Sequence, residues 1–322
     1  MARYLVTGGA GFIGSHIAER LLRDGNDVRV LDNLSTGRQG NLDAIVAVAP
    51  AGRFEWLEGD VRSIETCRRA CEGVDFVIHQ AALPSVQRSI ENPVETDEVN
   101  VGGFVALLKA AHENRVRRVV AASSSSVYGD TPTLPKTESM PLAPLSPYAM
   151  SKVAAEGYAR VFARTYGLPT VSLRYFNVFG PRQDPTSAYA AVIPAFTDAL
   201  LSGRRPKVYG TGEQSRDFTF IDNVVQANLS ACAKGEGAGE AVNIAGGSQC
   251  PLLELLAALG RAAGAPADPQ FFPRRPGDVL HSYADIGAAR KLLGYQPTVG
   301  LDEGLMRTVE HFKREFALRR AG

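Results

Sequence analysis

The chain has 322 residues, 45% of them hydrophobic and 21% charged. That length supports one large domain or two closely joined ones with a substantial core. Thirty-five Lys and Arg against 34 Asp and Glu leave a formal charge of +1, which argues against polyanion binding as the main activity, because that needs a basic excess or patch. No apolar run approaches the ~18 residues of a membrane span. Met1–Thr7 lacks the charged-then-apolar build of a secretory leader, so the expected location is the cytoplasm. Cys67, Cys71, Cys232 and Cys250 form no Cys-x-x-Cys pair, and the five histidines have no ligand spacing. Reduced thiols and no metal are expected.

The first half alternates short apolar runs with amphipathic stretches. Arg3–Thr7 reads as a buried strand, Phe12–Arg23 as a helix and Asp27–Leu31 as a strand, followed by a helix-like stretch to about Val48. Phe54–Glu58 is a strand, Ser63–Cys71 a helix and Val74–His79 a strand. Val94–Asn114 reads as one long helix, Val116–Ala122 as a strand, Pro147–Tyr166 as a helix and Thr170–Arg174 as a strand. Such alternation predicts an α/β Rossmann-type doubly wound parallel sheet. After Phe179, prolines punctuate shorter elements up to a closing helix over Leu301–Ala317. The expected division is a dinucleotide-binding domain over 1–179 and a smaller α/β lobe over 180–322, with the chain crossing between them.

The first strand runs into Gly8-Gly9-Ala10-Gly11-Phe12-Ile13-Gly14. Glycines here permit a tight turn and close approach of backbone to a pyrophosphate, which then meets the free N–H groups of a helix start. A lone glycine triplet is weak evidence. This one lies between a strand and a helix, and Asp32 ends the next strand. Asp32 suits a ribose diol and repels a 2′-phosphate, so NAD is expected over NADP; Arg38 nearby weakens that preference. Asp60 suits either the adenine side of the cofactor or a helix cap before Arg62–Cys71.

Tyr148 and Lys152 stand four apart at the start of a helix, so they share a face. With ten tyrosines and seven lysines, chance supplies roughly 0.2 such pairs, so the spacing alone is not specific. A cation beside the phenol lowers its pKa from ~10 toward neutrality, which makes a base for a sugar hydroxyl. Ser123–Ser126 follow an apolar strand, at the end of the sheet where open α/β folds bind ligands. Surface placement of the pair and a plain polar turn are the bland alternatives.

Together these motifs resemble the extended short-chain dehydrogenase/reductase family, and within it the nucleotide-sugar 4-epimerases. The matching stretches are Gly8–Gly14, Asp32-Asn33, Gly59–Val61, His79–Ala82, Ser123–Gly129, Ser146–Lys152, Leu173–Gly180, Ser215–Phe218 and Arg275–Asp278. Leu83, Ser85-Val86, Arg88–Ile90, Arg182–Pro185 and Ala188–Pro194 are most similar to the UDP-N-acetylglucosamine 4-epimerase branch.

The resemblance implies Tyr148 as base and acid, Lys152 as its tuner and ribose anchor, and Ser124, four residues before Tyr128, as the hydroxyl partner. It implies an NAD site of Gly8, Gly11, Phe12, Ile13, Gly14, Asp32, Asn33, Ser35, Thr36, Gly37, Asp60, Val61, Gln80, Ala81, Ala82, Asn100, Ser123, Tyr148, Lys152 and Tyr175. For the UDP-sugar it implies Asn177 and Arg216 at the diphosphate, Arg275 and Asp278 at the uridine end and Lys207, Val208 and Tyr209 beside the uracil. Ser85, Ser124, Ser125, Tyr148, Ala191, Val192, Gln214 and Ser282 complete the substrate set. Arg216 paired with Asp217 at the surface, and Asn177 as a turn residue, are the bland alternatives.

The implied chemistry is redox-neutral. Tyr148 takes the proton of the 4-hydroxyl as hydride leaves C4 for NAD, the keto sugar turns about its diphosphate link, and hydride returns to the other face. Ser282, four residues after Asp278, matches a gate position where a small residue admits a 2-acetamido group; Tyr283 next door would reverse that inference. Pro84 departs from the family pattern and bears on the sugar pocket. A UDP-glucose-only or UDP-uronate 4-epimerase remains an alternative. So does a catalytically silent NAD-binding protein. A 4,6-dehydratase is a further one, although Ser125 and Ser126 stand where that chemistry carries Asp and Glu. The resemblance also implies a homodimer through a four-helix bundle of Val94–Asn114 and Pro147–Tyr166, with Val105, Leu108 and Ala111 as candidate contacts.

Overall fold

The computed structural model describes residues 1–185, 191–274 and 280–321, with side chains described up to 318. The first half runs β1 (Arg3–Thr7), α1 (Phe12–Arg23), β2 (Asp27–Asp32), α2 (Gln39–Val48), β3 (Phe54–Glu58), α3 (Ile64–Cys71), β4 (Phe76–His79), α4 (Val86–Glu91), α5 (Pro93–Asp97), a π-turn (Glu98–Gly102), α6 (Gly103–Glu113), β5 (Arg118–Ser124), a 3₁₀ turn (Ser125–Tyr128), α7 (Pro147–Thr165) and β6 (Thr170–Tyr175). The second runs β7 (Val178–Phe179), α8 (Val192–Leu201), β8 (Lys207–Tyr209), β9 (Ser215–Arg216), β10 (Thr219–Phe220), α9 (Ile221–Ala233), β11 (Glu240–Ile244), β12 (Cys250–Pro251), α10 (Leu252–Ala263), β13 (Gln270–Phe272), α11 (Gly287–Leu293) and α12 (Leu301–Ala321).

Among the described residues a seven-stranded sheet has the order β11-β6-β5-β4-β1-β2-β3, with every neighbour parallel. All six residues of β6 are buried, as expected for a strand covered on both faces. In α1, Ile17, Ala18, Leu21 and Leu22 form the buried stripe, and Arg20 and Arg23 lie in the last turn, where cations suit the helix dipole. The strand order reverses between β1 and β4, which opens a crevice at their C-terminal ends.

Several elements differ from the sequence reading. Val94–Asn114 is not one regular helix: the π-turn separates α5 from α6. Asn100 lies in the middle of that turn, and its amide bonds both backbone groups of Leu83. Gly103 then packs so closely that a Cβ would sit 2.7 Å from Val61 Cγ2. α4 is a helix the periodicity does not reveal, started by Ser85, whose hydroxyl accepts from the Arg88 N–H at 3.1 Å. Asp60 does not cap α3; Ser63 does, accepting from Thr66 N–H at 3.2 Å.

The second half does not form a separate body. β11 pairs with β6 in the main sheet, and α9 lies against α1. One apolar core runs from Val6 and Ile17 to Val208, Leu255 and Leu305. Around it, β7, β8 and β9 pair with β10, β13 and β12 as two-stranded ribbons, and α8, α10 and α12 pack together. No helix among the described residues is long and apolar enough to cross a membrane.

Candidate active site

The turn after β1 is built from contacts that only glycine allows. Gly8 has φ +67°, and a Cβ there would meet the Ala81 nitrogen at 2.6 Å; one on Gly14 would meet the Gly8 oxygen at 2.2 Å. No side chain caps α1, and no acidic residue stands in its first turn. Its N-terminal N–H groups, at Phe12 and Ile13, therefore present a site for an anion, which is what a dinucleotide pyrophosphate requires.

Asp32, at the end of β2, is buried. Its carboxylate accepts from Ala10 N–H at 3.0 Å and Leu34 N–H at 2.9 Å. Burial pushes its pKa up, and the amides of Leu34, Ala10 and Asn33 oppose that. Gly37 lies against it: a Cβ there would be 2.9 Å from the Asp32 Oδ1. Ser35 and Thr36 are exposed on the same loop. Arg38, which weakened the preference for NAD, is turned to an ion pair with Asp184. Asp60 accepts from Asn33 Nδ2 at 2.9 Å and from Arg62, whose hydrogen bonds hold its pKa down at about 2. Val61 is buried in the core.

At the crevice, the Thr7 hydroxyl lies 2.7 Å from His79 Nδ1, and Ala81 N–H points to Thr7 Oγ1 at 3.4 Å; Ala82 is half-buried beside it. The Gln80 amide donates to the Tyr175 phenol at 3.1 Å and to Asn228 Oδ1 at 3.2 Å. Tyr175 and Asn228 bond each other, so the Tyr175 hydroxyl is engaged within the protein, and burial raises its pKa. Asn228, on α9, is a site residue the sequence reading misses.

Two expected cofactor residues have other partners. The Asn100 amide bonds Leu83 N–H and C=O and the Ser151 hydroxyl, at 2.8, 3.2 and 3.0 Å. The Ser123 hydroxyl donates to Glu156 Oε1 at 2.5 Å. Their side chains hold the walls of the crevice, because buried polar groups take the nearest protein partner.

Ser146 caps α7, accepting from Ala149 N–H at 3.1 Å with Pro147 behind it. Tyr148 and Lys152 follow on the inward face. The Ser124 hydroxyl is near enough to the Tyr148 phenol to favour its ionised form. Ser124 Oγ in turn accepts from the Ser126 hydroxyl at 2.9 Å and the Ser126 N–H at 3.2 Å. Lys152 Nζ donates to the Ala122 carbonyl at 2.9 Å and lies 5.8 Å from the Tyr148 ring centroid. Burial pushes the Lys152 pKa down to about 8, partly offset by Glu156. The expected lowering of the phenol by Lys152 is not what this geometry produces. Burial pushes the Tyr148 pKa up, and Ser124 is the group that opposes it.

The description "NAD dependent epimerase/dehydratase family" matches residues 4–245. The chain belongs to that family. Its cofactor is NAD, and the glycine cradle and Asp32 fit it. This family member is 42% identical to a UDP-glucose 4-epimerase of Mycolicibacterium smegmatis over 97% of this chain and 99% of the relative. Among solved structures it is similar to a UDP-N-acetylglucosamine 4-epimerase from Methanobrevibacter ruminantium in complex with UDP-N-acetylmuramic acid, at 37% identity and a TM-score of 0.92, covering 98% of this chain and 99% of that one. It is also similar to a UDP-glucose 4-epimerase with UDP-glucose from Thermotoga maritima, at 36% identity, a TM-score of 0.91 and 98% and 99% coverage.

Two of the expected sugar-nucleotide residues, Asn177 and Arg216, lie at Asp217. Asn177, at φ +34°, donates to the Asp217 carbonyl at 3.0 Å. The Arg216 guanidinium donates to the carbonyls of Ser215 and Leu280 at 2.9 and 3.0 Å. Asp217 makes no surface ion pair with it. Asp217 is buried, and its carboxylate accepts from Gly246, Gly247 and Ala284 N–H groups. Ser282 is buried, with its N–H on the Ser215 carbonyl at 3.1 Å. Lys207, Val208 and Tyr209 form β8; Lys207 Nζ lies over the Phe272 ring, Val208 enters the core, and Tyr209 O accepts from Gln214 Nε2 at 2.7 Å. Ala191 and Val192 start α8. Ser125 lies in the 3₁₀ turn, and Pro84 is exposed just before the Ser85 cap. Arg275 and Asp278 lie outside the described residues. Glu156 escaped the sequence reading, and Ser126, Arg174 and Asp217 entered it only as members of longer motifs. An Arg inside the apolar run of β6, and a carboxylate continuing the Tyr148–Lys152 step at position 156, were the available signals.

Proposed function

We propose that the enzyme interconverts UDP-GlcNAc with UDP-GalNAc, and also UDP-glucose with UDP-galactose, by C4 epimerisation through a 4-keto sugar. It is an isomerase. The observation that carries this reading is the hydroxyl chain Ser126–Ser124–Tyr148 at the end of β5, with Lys152 one turn along α7. NAD, when bound, supplies a reversible hydride acceptor. Tyr148 takes the proton of the sugar 4-hydroxyl and returns it. Ser124 holds the same oxygen, and Lys152 keeps positive charge beside the phenol. Asn177, Arg216, Gln214, Lys207 and Tyr209, with Arg275 and Asp278, hold the UDP while the sugar turns. An Arg fork suits a diphosphate. Small side chains at Ala191, Ser282, Ser85 and Ser125 leave room for that turn and for an acetamido group. Ser125 and Ser126 offer no acid/base pair for eliminating water, which favours epimerisation over dehydration.

In this reading residues 1–179, with α9 and β11, hold NAD, and the remainder of 180–322 holds the sugar nucleotide. The exposed apolar residues Met150, Tyr158 and Val161 on α7, with Ile90 and Val94 beside it, form the face of a homodimer built as a four-helix bundle. Val105 is half-buried on α6, whereas Leu108 and Ala111 are fully buried in the chain's own core and are not available to a partner subunit.

The test is NMR of the purified protein with UDP-GlcNAc and, separately, UDP-glucose, with no added NAD. Appearance of both C4 epimers supports the reading. Conversion of UDP-glucose alone removes the acetamido part. No product from either, with NAD then added, overturns it.

A further inference from the structure

We propose that Glu156 is a positioning residue of the catalytic centre, tying the strand end that carries Ser124 to the helix that carries Tyr148 and Lys152. This rests on the catalytic roles proposed above. Glu156 lies one turn beyond Lys152 on α7, with its side chain 6% exposed. Its Oε1 accepts from Ser123 Oγ at 2.5 Å and Arg174 Nε at 2.8 Å; its Oε2 accepts from Arg174 Nη2 at 2.7 Å. Arg174 is 4% exposed and donates onward to the Tyr128 phenol at 2.8 Å, which donates to Asn243 Oδ1 at 2.6 Å. One carboxylate thereby fastens α7 to β5 and β6, and through Tyr128 to β11. The residue held on β5 immediately precedes Ser124.

A buried ion pair adds little net stability, and a well-packed apolar pair of equal volume often serves as well. Its presence one turn from Lys152 therefore points to placement and charge at the site. The groups facing Lys152 are Tyr148 and Glu156 from α7, His79 from β4 and the Ala122 carbonyl from β5; Arg174 of β6 faces Glu156. His79 is held neutral, its pKa pushed down to about 3 by burial and then by Lys152. Glu156 is thus the charge that favours the ammonium.

The experiment compares NAD-loaded wild type, Ser123→Ala and the charge-neutral double variant Glu156→Leu with Arg174→Met. The double variant keeps the core filled where Glu156→Gln alone would strand Arg174. Ionisation of Tyr148 is followed by phenolate ultraviolet absorbance against Tyr148→Phe, and kcat, KM and bound NAD are measured alongside. A positioning role predicts full NAD content, KM changed by less than about twofold, kcat lowered by about tenfold or more in the double variant and about threefold in Ser123→Ala, and a Tyr148 titration moved upward by about one pH unit in the double variant. Wild-type kcat and an unmoved titration in the double variant overturn the proposal and leave Glu156 as the counter-ion of Arg174 alone. A wild-type protein inactive on every UDP-sugar overturns the substrate reading instead, and the phenolate titration still decides the role of Glu156.

Discussion

The Ser126 hydroxyl donates to the Ser124 hydroxyl across 2.9 Å, and the Ser126 N–H reaches the same oxygen at 3.2 Å. With its acceptor sites filled from behind, Ser124 has its own proton left for the Tyr148 phenol or a substrate oxygen. Replacing Ser126 by Ala removes one neutral hydrogen bond, worth about 1 kcal/mol. kcat is expected to fall roughly fivefold with KM and bound NAD unchanged, and Ser126→Thr to restore most of it. Steady-state kinetics checks this; a Ser126→Ala enzyme with wild-type kcat contradicts it.

Lys152 sets an alkaline limit. Burial lowers its pKa to about 8, so the ammonium is lost as pH rises through that value, and kcat/KM declines with it. The effect on stability has the opposite sign. With the folded pKa depressed below its unfolded value of ~10.4, Lys152 contributes stability above that value, and the contribution is lost as pH falls through about 8. His79, with its pKa down at about 3, adds no limb near neutrality. A pH profile of kcat/KM flat to pH ~10 would remove Lys152 from this role.

Ser282 is buried, with its N–H on the Ser215 carbonyl, in the segment that follows the residues proposed for the uridine end. A tyrosine in its place fills the volume assigned to the acetamido group. Ser282→Tyr is expected to cut turnover of UDP-GlcNAc by roughly tenfold or more, and that of UDP-glucose by less than about threefold. Parallel assays on the two sugars measure it. Equal losses on both would place Ser282 away from the 2-position.

Two apolar substitutions separate core from interface. Val161 is 48% exposed on α7, whereas Leu108 on α6 is fully buried. Val161→Asp is expected to shift light-scattering mass from dimer to monomer with little change in monomer stability. Leu108→Ala is expected to cost about 2–5 kcal/mol by denaturant titration and leave the mass unchanged. A monomeric wild type sinks the dimer.

Local pattern made much of this protein legible. The glycine run after a strand, the Tyr148–Lys152 step and the serines closing β5 each depend on short-range spacing, and they stand in the structure where that spacing puts them. Asp60 and Ser63 show where such reasoning fails, since two polar residues three positions apart compete for one helix start and only geometry selects Ser63. Asn100 and Ser123, expected at the cofactor from the resemblance, hold Leu83, Ser151 and Glu156 through their amide and hydroxyl. Those partners are distant in sequence, so no local pattern announces them.

The sequence by itself determined the alternation that yields a parallel sheet, the glycine cradle and the order of the catalytic residues along the chain, because periodicity and turn chemistry act over a few residues. Only the tertiary structure decided that β11 completes the sheet, that Glu156 meets Ser123 and Arg174, and that burial rather than Lys152 dominates the phenol's ionisation. Those outcomes depend on desolvation and on contacts between remote segments, and both exist only once the chain has closed on itself.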